Sequence, residues 1–90
     1  MADHSSRIAV VTRAGSGIGA AVALALAGDG WVVVLAGRRP EALASVAARG
    51  RACRHAQPAP TDVTDEASVR ALLDRTVDRH DRVDLLFNNR

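Results

Sequence analysis

Ile8-Ala9-Val10-Val11-Thr12-Arg13-Ala14-Gly15-Ser16-Gly17-Ile18-Gly19-Ala20 is the stretch on which the reading of this 90-residue chain turns. Ile8 to Thr12 is a short apolar run rich in branched residues, the pattern of a strand buried on both faces in a parallel sheet. The run stops at a glycine-rich loop, Arg13 to Gly19, and from Ile18 the sequence becomes helical. Ile18, Ala21, Val22, Ala25 and Leu26 then fall at the spacing of one helix face. Gly28 and Gly30 supply the stop signal. Glycines between a strand and a helix let the backbone turn tightly, let a pyrophosphate approach the main chain and let the helix pack close to the strand. The helix N-terminus then offers unpaired N–H groups and a partial positive charge to an anion. A glycine triplet by itself also marks an ordinary structural turn. Its position here, with a second strand following, points to a dinucleotide-binding loop.

Outward from that loop the chain alternates strand and helix. Trp31 to Ala36 reads as a second strand, Gly37 to Pro40 as a turn, and Pro40 as the first residue of a second helix reaching about Ala48, with Gly50 as its C-terminal cap. Arg51 to Pro60 is polar, and Pro58 and Pro60 argue against a central strand, so a short edge strand is expected near Cys53 to Ala56, followed by loop. Thr64 is expected to cap a third helix, with Asp65 and Glu66 at the positive end of its dipole and Val69, Leu72, Leu73, Thr76 and Val77 as its buried stripe. Val83 to Phe87 reads as a fourth strand, followed by Asn88, Asn89 and Arg90. The pattern βαβαβαβ predicts an α/β fold with a doubly wound parallel sheet ending after a fourth strand. With strand order 3-2-1-4, a ligand is expected at the switch point, outside the carboxyl ends of the first and fourth strands.

Composition narrows the chemistry. Ninety residues make at most one small domain. The chain is 48% hydrophobic, but alanine supplies 18 of those residues and the aromatics are only Trp31 and Phe87, so the core is built from small and branched aliphatic side chains. All 12 basic residues are arginine; there is no lysine and no tyrosine, which removes both as acids, bases or Schiff-base formers in this chain. The pI is 9.9, yet the arginines alternate with acids and the net charge is only +2, without the basic stripe of a nucleic-acid footprint. Asp74, Asp78, Asp81 and Asp84, interleaved with Arg75, Arg79 and Arg82, read as a charged helix surface. Cys53 stands alone, so no internal disulfide can form, and it reads as a packed small hydrophobe. His4, His55 and His80 lack metal-ligand spacing, and His80 sits where a helix dipole favours a cation. No apolar stretch is long enough for a membrane span, and residues 1–6 read as a disordered polar tail without a signal peptide, so a cytoplasmic location is expected.

The loop can be parsed in two ways. Gly15, Gly17 and Ala20 fit the general dinucleotide fingerprint Gly-x-Gly-x-x-Gly/Ala. Thr12, Gly17, Ile18 and Gly19 instead resemble the Thr-Gly-x-x-x-Gly-Ile-Gly loop of the short-chain dehydrogenase/reductase family. Three further features carry the same resemblance: Gly37-Arg38-Arg39 after the second strand, Asp62-Val63 at the position of an Asp-Val/Leu pair that contacts the adenine, and Asn88-Asn89 at the start of an Asn-Asn-Ala-Gly motif. The resemblance runs from Arg7 to the end, about the first third of a family member. It implies that residues 7–90 form a partial NAD(P)-binding Rossmann domain. It departs from the family at Arg13, which replaces the first loop glycine, and at Arg90, which stands in place of alanine. Arg13 adds a Cβ and a long cation where the backbone turns tightly; it could crowd the cofactor or swing out to a phosphate.

The resemblance implies a nicotinamide dinucleotide bound by Thr12, Gly15, Ser16, Gly17, Ile18, Gly19, Arg38, Arg39, Asp62, Val63, Asn88 and Asn89. An acidic residue after the second strand would accept hydrogen bonds from a ribose 2′-OH and repel a 2′-phosphate. Here Gly37 is followed by Arg38, whose guanidinium suits a phosphate, so NADP is expected in preference to NAD, with Arg38 on the 2′-phosphate and Arg39 assisting or stacking on the adenine. The alternative is that both are solvated turn residues. Family membership further implies hydride transfer to or from an alcohol or carbonyl substrate, and homo-oligomers among full-length relatives. The family's catalytic serine and Tyr-x-x-x-Lys pair match no position here, so the chain reads as an N-terminal piece of an oxidoreductase that binds cofactor without catalysing. A non-catalytic nucleotide-binding or interaction module, or an inactive truncated product, is the competing reading.

Overall fold

In a computed structural model, residues 7–49 and 55–88 are described. They form β1 (Ile8–Thr12), α1 (Gly17–Gly28), β2 (Val32–Gly37), α2 (Pro40–Ala47), β3 (Ala56–Pro60), α3 (Glu66–His80) and β4 (Leu85–Phe87). All strand pairs are parallel and the sheet order is β3-β2-β1-β4, the expected doubly wound order. The expected tail of residues 1–6, the Gly50 cap, Cys53, Asn89 and Arg90 lie outside the described residues.

Strand side chains alternate between two layers, as the pleat requires. Ala9, Val11, Val33 and Leu35 pack with the alanines of α1 and with Leu43 and Val46 of α2. Val10, Val34 and Ala36 face the other way, onto Leu72 of α3. β1 is buried along its whole length because it has neighbours on both sides and helices on both faces. Its pure apolar run, without period-two alternation, has that cause.

Several boundaries and faces differ from the sequence reading. α1 buries Gly19, Ala20, Ala23 and Ala27, not the expected Ile18-centred face, and Ile18 is 68% exposed. The helix is apolar on almost every side, so periodicity could not select the inner face. Packing chose the column of smallest side chains, which lets α1 lie closest to the sheet. α3 buries Leu72 and Thr76 as expected, but Val77 is 44% exposed. Its N-cap is Asp65, whose carboxylate accepts the Ala67 N–H at 3.1 Å, and not Thr64, whose hydroxyl is engaged with Asp62.

The prolines produce the largest correction. β3 runs through Pro58 and Pro60, whereas the sequence reading ended the strand at Ala56. The His55 carbonyl accepts from Val33 and the Thr61 N–H donates to the Gly37 carbonyl, so alternation points residues 55, 57, 59 and 61 at β2. Pro58 and Pro60 therefore point to the unpaired edge, where a missing N–H breaks no ladder bond. β2 includes Gly37, expected in the turn. β4 starts at Leu85 and not at Val83, because the Asp84 carboxylate itself takes the Ile8 N–H at 2.8 Å. Asp84 is thus not part of a helix surface but clamps the entry of β1. That contact, aided by Arg82 at 2.9 Å, holds its carboxyl below the usual range.

Candidate functional site

At the carboxyl ends of β1, β2 and β4 the sheet opens into a cleft of about 1560 Å³. Three loops converge on it: the turn from β1 to α1, the exit of β2, and the loop before α3. Among the described residues, the first of these carries the most constrained backbone. Arg13 has φ 53° and Gly17 φ 60°, both left-handed. A Cβ at Gly19 would collide with the Arg13 carbonyl oxygen, so the loop closes onto its own helix only with glycine there. At Gly17 nothing lies within 4 Å of where a Cβ would stand, which leaves that side open. The positive φ values at residues 13 and 17 and the close approach at 19 fall on the three positions where the Thr-Gly-x-x-x-Gly-Ile-Gly pattern has glycine. Arg13 therefore holds a conformation that costs a non-glycine residue roughly 1–2 kcal/mol.

α1 begins at Gly17 with Ser16 as N-cap, and the Ser16 side chain makes no capping bond. The first-turn amides remain available to an anion. Thr12, buried at the end of β1, reaches the Phe87 carbonyl and the Asn88 Oδ1, each at 3.3 Å, and so ties β1 to β4 at the switch point. From the end of β2, Arg38 and Arg39 project exposed into the cleft rim.

The cleft wall brings together Thr12, Gly15, Ser16, Arg38, Arg39, Val63 and Asn88 from the expected set. Gly17, Ile18 and Gly19 form the first turn of α1, next to the lining residues Gly15 and Ser16, and Asn89 is outside the described residues. Asp62 does not line the cleft. Its carboxylate accepts the Thr64 hydroxyl at 2.6 Å and the Thr64 N–H at 3.0 Å, and its own N–H donates to Ser68 Oγ at 3.1 Å. The two Thr64 bonds hold the Asp62 carboxyl below the usual range, with the Arg38 charge a lesser contribution. Asp62 thus shapes the loop that carries Val63 to the cleft.

Sequence reasoning missed a fourth wall. Glu66, Val69, Arg70 and Leu73 recur at helical spacing on α3 and face the cleft. Val69 and Leu73 were legible as apolar positions of that helix; Leu73 does pack against the Val10, Val34, Ala36 and Leu72 cluster, and both also line the cleft, which periodicity did not show. The expected cation at His80 also needs correction: burial, with Arg79 close by, pushes its pKa down, and Nε2 lies 3.1 Å from Gln57 Oε1. No described helix is long and apolar enough to cross a membrane.

Residues 7–90 match the family described as short chain dehydrogenase. A cis-4-hydroxycyclohexanecarboxylate dehydrogenase from Sinomonas cyclohexanicum is 46% identical over 86 residues, which cover 94% of this chain and 34% of that protein. Among solved structures, an actinorhodin polyketide ketoreductase variant with NADPH superimposes at TM-score 0.86 and 34% identity, covering 99% of this chain and 34% of the other. A metagenomic short-chain oxidoreductase in complex with NADP gives 0.82 and 34%, covering 89% and 37%. The chain spans about a third of the length of the curated relatives it matches.

Proposed function

Because the chain belongs to the short-chain dehydrogenase family, we propose that its cleft binds the adenosine and pyrophosphate part of a nicotinamide cofactor, with NADP favoured over NAD. The observation that carries the preference is the exit of β2: Gly37 ends the strand, Arg38 and Arg39 follow on the cleft wall, and no carboxylate occupies that turn. The donor set fits the group. Arg38 is the ligand of the 2′-phosphate, with two parallel charge-assisted N–H bonds available. Arg39 assists it or stacks on the adenine, against which Val63 also lies. The open side of Gly17 and the uncapped amides of α1 receive the pyrophosphate, and Thr12 and Asn88 form the floor between β1 and β4.

When bound, the nicotinamide supplies hydride transfer to or from an alcohol or carbonyl. The residues described above bind and orient; with no tyrosine or lysine in the 90 residues, they include no Tyr-x-x-x-Lys pair. That composition favours a second reading in which this chain by itself holds nucleotide without turnover. A cytoplasmic location and homo-oligomeric assembly of the whole enzyme complete the proposal. Calorimetric titration of the chain with each cofactor tests it: NADP⁺ is expected to bind at least several-fold more tightly than NAD⁺, and Arg38→Ala to weaken NADP⁺ binding and narrow the difference. Tighter NAD⁺ binding, or unchanged NADP⁺ affinity in Arg38→Ala, overturns the preference.

A further inference from the structure

We propose that Arg13 is a specificity-determining ligand of the cofactor 2′-phosphate, acting with Arg38 as a pair of guanidinium groups on one dianion; this rests on the NADP reading above. Arg13 occupies the loop position that the resemblance assigns to glycine, yet it lines the same cleft as Arg38 and Arg39. The backbone places it on the β2 side of the loop. The Ala14 N–H donates to the Ala36 carbonyl at 3.0 Å, and Ala14 N lies 3.9 Å from where a Gly37 Cβ would stand. Arg13 therefore leaves the main chain one residue from that junction, beside the turn that delivers Arg38. The uncapped first turn of α1 begins several residues further on.

Charge balance supports the same assignment. Arg38 lies near the Asp62 carboxylate, whose lowered pKa owes most to Thr64 and least to Arg38, and no ion pair joins the two among the described residues, so its guanidinium stays available to a ligand anion. Arg13 is exposed and has no ion pair among the described residues, the pair recorded there being Arg82–Asp84. Ser16, inside the glycine loop, brings no charge. A 2′-phosphate between Arg13 and Arg38 would supply the acceptor oxygens that both forks can use. A left-handed arginine is an outlier that a glycine would remove, and a ligand contact gives a reason for arginine there.

The test uses the 90-residue chain with two probes that differ only in the 2′-phosphate, adenosine 2′,5′-bisphosphate and 5′-AMP, each titrated by calorimetry. Arg13→Gly is the chosen variant, since glycine adopts φ 53° without strain and the fold is not put at risk. Its affinity for the bisphosphate is expected to fall roughly tenfold, about 1.4 kcal/mol, with 5′-AMP changed less than twofold. Unchanged or tighter bisphosphate binding overturns the inference, and tighter binding of both probes would identify Arg13 as an obstruction. Arg38→Ala separates the two readings. If it removes the bisphosphate preference and Arg13→Gly does not, only the Arg13 inference fails. If the parent chain shows no preference, the NADP reading fails and this one with it.

Discussion

Two glycines at opposite ends of α1 should respond to the same substitution with opposite signs. Gly19→Ala places a methyl against backbone: the Arg13 carbonyl oxygen in direct collision, the Arg13 carbonyl carbon at 2.9 Å and the Thr12 oxygen at 3.1 Å. None of these atoms belongs to a side chain that can rotate away, so the β1–α1 loop must move. Overpacking of this kind costs typically about 1–3 kcal/mol, and backbone contacts place it at the upper end. Alanine in a helix recovers roughly 0.5–1 kcal/mol relative to glycine. The net expectation for Gly19→Ala is a loss of about 1–2 kcal/mol. Gly28→Ala, at the last turn, meets nothing within 4 Å and keeps only the helical gain of roughly 0.5–1 kcal/mol. For a domain of this size 1 kcal/mol corresponds to roughly 4–8 °C in Tm. Thermal unfolding followed by circular dichroism, with urea melts as a check, should show Gly19→Ala below the parent chain and Gly28→Ala above it. A Gly19→Ala chain as stable as the parent would mean that the loop does not close on α1 as described.

Two further expectations follow from contacts away from the loop. Thr12→Val keeps the β-branched shape in β1 but removes the hydroxyl that reaches Phe87 and Asn88; a loss of about 1 kcal/mol in urea unfolding is expected, and no change would show that this tie between β1 and β4 is idle. His80 has its folded pKa below the unfolded value, so the unfolded chain binds the extra proton more readily and stability falls as pH drops below about 6.5. In His80→Gln that part of the pH dependence of Tm should vanish, and an identical pH profile would remove His80 as its source.

The order of elements was legible because each carries a local signal that tertiary contacts did not need to supply. The branched run of Ile8–Thr12, the glycine loop and Pro40 at the first position of α2 each read correctly from short range. The α1 face did not, since an alanine-rich helix offers no contrast between its sides. β3 did not, because proline forbids only the hydrogen bonds it would make, and the side on which those fall depends on which neighbour the strand adopts. Of the cleft lining, the residues at the exits of β1 and β2, Val63 before α3 and Asn88 after β4 were visible. The Glu66–Leu73 face of α3 was not, because an apolar position that borders a cleft has the same spacing as one that borders a core.

By itself the sequence determined a parallel α/β sheet, a glycine loop after its first strand, a pair of arginines after its second, and a composition without tyrosine or lysine. These are properties of residue type and near-neighbour order. Tertiary structure alone decided that Asp84 clamps β1, that Thr12 ties β1 to β4, and that Arg13 lies beside the exit of β2. Each of those depends on where a group's hydrogen-bond partner or steric neighbour lies after the chain has folded back. Residue spacing along the chain does not encode that distance.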